Sequence, residues 1–358
     1  MPMSFDPASL RQSWPMPSRP RPIVTIGAGS IVLDAHFPAY RKAGFPIAGV
    51  YDLDAPRARS VAGKFGVAKV FASLDEAVET EGAIFDLATP PSAHKSVLER
   101  IPIGAGVLIQ KPMGADLEQA TAILRVCRER KLVAAVNFQL RFAPMMLAVK
   151  DALNRGLIGR LVDVEVHLAI LTPWAMFAFL KGLPRVEIAV HSIHYLDLIR
   201  SFLGDPDGVH AKTIGHPASD MAQTRTTAIL DYGDEVRAAM SINHNHAFGR
   251  KHQAAEFRFD GTDGAAYAKL GLLLDYPNGE PDELWIRPKG EPDWVEVPLH
   301  GSWFPDAFIG RMANLQRFCA GEDPHLVASV EDAWTTMALV EAAFESSAKP
   351  ATPLKAHP

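Results

Sequence analysis

The 358-residue chain has only two cysteines, Cys127 and Cys319. They lie far apart and match no metal-ligand or redox spacing, which excludes a thiolate metal site and points to a reducing, cytoplasmic setting. No apolar run approaches the roughly 18 residues of a membrane-spanning helix, so no membrane partner is expected. A basic stripe is missing too. Lys and Arg total 36 against 41 Asp and Glu, for a net charge of −5, which argues against nucleic acid. Internal repeats and low-complexity blocks are absent. The opening stretch MPMSFDPASLRQSWPMPSRPRP lacks the continuous apolar core of a secretory signal. Its prolines and scattered polar residues predict a mobile leader, or an arm laid over the surface, in residues 1–21.

What is present is the composition of a globular protein, 48% hydrophobic and 22% charged, at a length that fits two domains. From residue 22 to 143, short β-branched strands (PIVTI, PIAGVYDLD, KVFAS, AIFDLA, GVLIQ, LVAAVNF) alternate with helical stretches. That rhythm predicts a doubly wound parallel sheet with crossover helices. From 144 to 358 it changes. GRLVDVEVHLAIL sets Asp163, Glu165 and His167 against Val162, Val164, Val166 and Leu168, and further strands follow through tight turns. These predict a large, open, mainly antiparallel sheet, closed by two helices near 305–320 and 330–348.

Four motifs carry chemistry. GAGSIV, Gly27 to Val32, leaves a strand and opens a helix. Gly27 and Gly29 allow a tight turn in which backbone amides, with Ser30 and Ile31, approach a pyrophosphate at a helix N-terminus. Asp52 closes the second strand, where an acidic residue binds the adenosine ribose and repels a 2′-phosphate, favouring NAD over NADP. Asp54 is a candidate helix cap. In ATPPSAH, a strand end followed by two prolines forms a lip at the crevice where ligands sit in such sheets, with Thr89, Pro90 and His94, and Gln110 and Lys111 from the next strand end, as cofactor contacts. Gln110-Lys111-Pro112 ends the next strand, so Lys111 enters the same crevice, where a cation stabilises developing alkoxide charge; the alternative is a snorkelling strand-end lysine. In VEIAVHSIHYLD, a regular helix puts Glu187, His191 and His194 on one face. They are candidates for proton transfer near neutral pH, with a divalent metal ranked low and buried core histidines the plain alternative.

Taken together, GAGSI, Asp52, ATPPSAH, QKP, NFQLRFAP and HYLD resemble, in order and spacing, the glucose–fructose oxidoreductase, inositol dehydrogenase and rhizopine-catabolism (Gfo/Idh/MocA) family, from about residue 22 to 345. The resemblance implies a Rossmann domain followed by an α/β substrate domain. The implied reaction is hydride transfer between NAD and a hydroxyl of a sugar, polyol or sugar derivative (aldose, inositol or apiose-like). Lys111 would polarise the oxygen and His194 act as base, with His191 as its possible substitute; no metal is implied. Gln110 and Val190 stand where the family usually has acids. Asn137, Gln139 and Arg141 can reach substrate hydroxyls or a carboxylate, although Arg141 can equally tie the domains together. Trp174 and Phe177 would cover the sugar. A homodimer or tetramer through the second sheet is expected, from an open face carrying Ile229, Ala239 and Phe257. The competing functional reading is a non-catalytic NAD-binding sugar sensor on the same fold.

Overall fold

The structure of the protein, a computed structural model, describes residues 5–276 and 278–355, without the side chains of 177–179. Five short strands form the first sheet: β1 (Ile23–Ile26), β2 (Ile47–Tyr51), β3 (Ile84–Leu87), β4 (Gly106–Ile109) and β5 (Val133–Val136). All neighbours run parallel, in the order β2-β1-β3-β4-β5. Strands β1, β3 and β4 are buried along their whole length, which is why they read as continuous apolar runs. The crossovers are α1 (Phe37–Ala43), α2 (Ala55–Phe65), α3 (Leu74–Val78), α4 (Pro91–Leu98) and α5 (Leu117–Glu129). The expected strand KVFAS shrinks to a single bridge, Val50 to Val70. Asp54, Ser73 and Asp116 cap α2, α3 and α5 through their side chains, satisfying amides that a helix start leaves free.

After α6 (Pro144–Asn154) come β6 (Leu161–Ala169), α7 (Ile193–Leu203), β7 (Gly208–Ile214), β8 (Arg225–Asp231), β9 (Arg237–Asn243), β10 (Ala254–Gly261), β11 (Ala265–Lys269), β12 (Glu283–Arg287) and β13 (Val295–Glu296). They form a sheet ordered β13-β12-β11-β10-β6-β9-β8-β7, antiparallel except between β6 and β9. Val164, Val166 and Leu168 point inward as predicted, joined by Phe257, Phe259, Leu284 and Ile286. Phe257 therefore lies in the core and not on the open face. That face keeps Ile229, half exposed, but ion pairs cross it: Arg237 with Asp163 and Glu165, and Arg258 with Glu256. The reason is register: a period of two assigns Phe257 and Ile229 to opposite faces.

The last two helices, α8 (Asp306–Cys319) and α9 (Val330–Ala348), follow. Helix α8 returns to the first sheet, where Phe308, Met312 and Leu315 share a core with Ile23, Ile84 and Leu108. Chain past 144 thus completes the nucleotide-binding layer. The amino-terminal arm is laid over the surface: Leu10 is buried, Gln12 Nε2 donates to Pro298 O (3.0 Å), and Trp14 Nε1 donates to Asp323 (2.7 Å). Among the described residues no helix is long and apolar enough to cross a membrane.

Candidate active site

The strand order reverses direction at β1, so the crevice outside the carboxyl ends of β1 and β3 is where a nucleotide fits. Gly27 leaves β1 with φ +103°, and a Cβ there would lie 2.4 Å from Ala88 O. Only glycine lets the loops after β1 and β3 approach so closely. Gly29 faces open space, and Ser30 and Ile31 lead into a π-helical turn, Val32–His36, that runs on into α1. Asp52 sits at the end of β2, its carboxylate accepting from Ala28 N (2.7 Å) and Asp54 N (2.8 Å), with the Arg57 guanidinium 3.9 Å away. Across the crevice Thr89, next to Pro90, has a buried hydroxyl with no partner. A dinucleotide fits this set: amides and glycines for phosphates, a carboxylate for ribose, an orphaned hydroxyl at the facing lip.

His94 is a correction. Its two ring nitrogens lie 3.0 Å from Met113 O and from Thr89 O, so it clamps the loops after β3 and β4. Burial lowers its pKa. It shapes the lip and turns neither nitrogen toward a ligand.

Lys111 stands two residues past β4 and is joined to Pro112 by a cis peptide. Its Nζ donates to Val190 O at 3.0 Å, and burial lowers its pKa to about 8 with no carboxylate contributing. Beneath it lies a polar chain that sequence reasoning missed. Asn137 Nδ2 donates to Gln110 Oε1 (2.9 Å) and lies 3.3 Å from His36 Nε2, while His36 Nδ1 and Tyr40 hydroxyl both meet Asp86 Oδ2 (2.8 and 3.0 Å). The one available signal was Asp86 itself, a carboxylate inside the apolar run AIFDLA. Gln110 and Asn137 are thus bonded to each other and both are buried. The Asn137 amide is occupied on its Nδ2 side, while its Oδ1, like Gln139 Oε1, has no partner.

Val190 O belongs to a second π-helical turn, Ile188–Ser192, which precedes α7. The wider turn breaks the regular 3.6-residue phase, so Glu187 does not share a working face with the two histidines. Glu187 is fully buried behind them and accepts from Ser192 Oγ (2.7 Å), the Thr226 hydroxyl and His244 Nε2 (3.3 Å). It is no substrate ligand. His244, from the end of β9, was missed because nothing near it in sequence links it to α7; its ring packs on His191 with centroids 4.5 Å apart. Trp174 covers both rings at 5.4 and 5.5 Å. Phe177 has its side chain outside the described residues.

His194 stands between Phe138 and Trp303, ring centroids 6.4 and 6.3 Å away. Burial first, and the Lys111 charge second, hold its pKa well below the ordinary histidine value. His191 is lowered likewise, by burial and then by His244, Lys111 and His194. Both imidazoles are therefore neutral near pH 7. His191 Nε2, His194 Nδ1 and Trp174 Nε1 are buried and unpartnered. Arg141, by contrast, is fully engaged: Nε and Nη2 donate to Asp197 at 2.6 Å each, and Nη1 lies 2.8 Å from Asp332. From the turn that follows β5 it ties α7 to α9, with both carboxylates as built-in counter-charge.

Comparison with known proteins fits this arrangement. Residues 22–138 match the model of the Gfo/Idh/MocA oxidoreductase family, NAD-binding Rossmann fold, and 146–267 match the family's C-terminal domain. The chain is 24% identical to D-apiose dehydrogenase of Paraburkholderia graminis, over 87% of this chain and 84% of that one. It is 25% identical to inositol 2-dehydrogenase of Rhizobium meliloti, over 85% and 89%. An oxidoreductase from Agrobacterium radiobacter, solved with NAD+, L-tartaric acid and magnesium, superposes with a TM-score of 0.76 at 22% identity, over 92% of this chain and 97% of that one. With both domains matched and the nucleotide crevice in place, this chain belongs to the Gfo/Idh/MocA family of oxidoreductases acting on CH–OH donors.

Proposed function

We propose that the protein is an NAD-dependent dehydrogenase that oxidises one hydroxyl of a sugar, polyol or sugar derivative. The observation that carries this is the Lys111 ammonium held by Val190 O, four residues before His194 in the chain, together with the buried and unpartnered Nδ1 of His194. When bound, NAD supplies the hydride acceptor, held by the amides after Gly27, by Asp52 and by Thr89. The Asp52 carboxylate would repel a 2′-phosphate, which favours NAD over NADP.

Lys111 Nζ then hydrogen-bonds the substrate oxygen and stabilises the negative charge that grows on it as the carbonyl forms. His194, neutral at pH 7 because burial opposes its charged form, takes the hydroxyl proton. His191, pressed on His244 and backed by Glu187, orients the substrate beside it. Trp174 closes the site on the apolar side of the ring. Pairing of two copies through the open face of the second sheet is part of this reading, with ion-paired residues, not an apolar patch, as the contacting surface. The test is nicotinamide absorbance during incubation with NAD and a panel of aldoses, polyols, inositols and sugar acids. Reduction of NAD by a panel member, lost in His194→Ala, supports the reading. Bound NAD without turnover on any compound would favour a sugar-responsive binding protein.

A further inference from the structure

The proposed substrate site has, among the described residues, several polar hydrogen-bonding groups and one cation but no free acid. Among the described residues, Lys111 Nζ bonds a single backbone carbonyl, and His191 Nε2, His194 Nδ1 and Trp174 Nε1 have no partner. The neighbouring carboxylates are all committed. Glu187 serves Ser192, Thr226 and His244; Asp197 serves Arg141 and Thr336; Asp282 accepts from Gly271 N and Trp303 N. The unpartnered acceptors nearby, Thr89 Oγ1, Asn137 Oδ1 and Gln139 Oε1, are neutral. The residue beside Lys111 is an amide, Gln110, whose oxygen is occupied by Asn137.

Lys111 is half-buried, and a cation drawn out of water without a counter-charge is costly. A neutral polyol would fill hydrogen bonds here and leave that cost in place. A carboxylate would remove it, because charge-assisted bonds to an ammonium and to imidazole N–H groups are among the strongest available. We infer that the substrate is a 2-hydroxy acid of the sugar-acid class: of the three Lys111 N–H groups one is given to Val190 O, the second meets the reacting hydroxyl, and the third, with His191, meets the adjacent carboxylate, which supplies the negative charge this site lacks. The inference rests on the dehydrogenase reading above and narrows its substrate. The lowered pKa of Lys111, about 8 before ligand binds, adds a sign. Acid binding should weaken as pH rises through and above that value, while binding of neutral polyols should change little.

The experiment is calorimetric titration of the NAD-loaded protein with matched pairs of aldonate and alditol, each pair differing only at one terminal carbon. At least one aldonate should bind about tenfold or more tighter than its alditol, the size of one charged hydrogen bond. That preference should vanish in Lys111→Met and shrink in His191→Asn. Alditols binding as tightly as aldonates, no aldonate binding at all, or a preference that survives Lys111→Met would each overturn the inference. NAD reduction by neutral polyols with no preference for acids sinks this inference alone. Failure to bind NAD sinks the dehydrogenase reading itself.

Discussion

Arg141 and Lys111 are two cations that follow neighbouring strands, β5 and β4, into one domain junction. Their surroundings are opposite. Arg141 is held by Asp197 and Asp332; burial would lower its pKa, but the two carboxylates outweigh burial and raise it. Lys111 has a backbone carbonyl and no acid, and burial alone acts on it. A cation with its counter-charge built in is structural. One left without it is available for charge that arises during a reaction or arrives with a ligand.

The sharpest way to break this contrast is at the proposed proton acceptor, His194. His194→Ala should lower turnover by about 10²–10⁴, with NAD affinity measured by titration nearly unchanged. On the structural side, Arg141→Met leaves Asp197 buried and unpaired. It should cost about 3–5 kcal/mol of stability in a denaturant melt, and an unchanged midpoint would show that Arg141 is not the tie described here. Third comes the pH profile. The proposed mechanism uses a protonated Lys111 and a neutral His194, so kcat/KM should fall above about pH 8 and hold down to well below the ordinary histidine pKa. The upper limb should move to higher pH in Lys111→Arg if that variant retains turnover. The smallest effect is at the ribose: Asp52→Ser should weaken NAD by about tenfold, the loss of one charged hydrogen bond, and narrow the gap to NADP. Native binding of NADP equal to NAD would remove Asp52 from that role.

Much of the first domain was legible because its strands are buried on both faces and its helices carry caps. Ile23–Ile26, Gly106–Ile109 and the Asp54 cap lie where the pattern put them. The alternation in β6 likewise announced the second sheet. Three features were not legible. The π turns at 32–36 and 188–192 shift helical phase without any residue that marks them, so Glu187 read as a partner in the cleft when it supports His244 from behind. His191, in the π turn before α7, and His244, just past β9, come together only in the tertiary fold. Arg141 and His94 carry types of side chain that serve ligands or structure equally well, and their partners Asp197 and Met113 O are fixed by tertiary contact. The Lys111–His194 pairing could be proposed from sequence because each stands in a short motif, QKP and HYLD, that the family resemblance carries.

The most direct test of the central claim is turnover of Lys111→Met on the substrate that wild-type protein oxidises, measured beside NAD affinity. The account predicts a loss of about 10²–10³ in turnover with NAD binding retained. Wild-type turnover in this variant would contradict it and leave Lys111 a strand-end residue anchored to Val190.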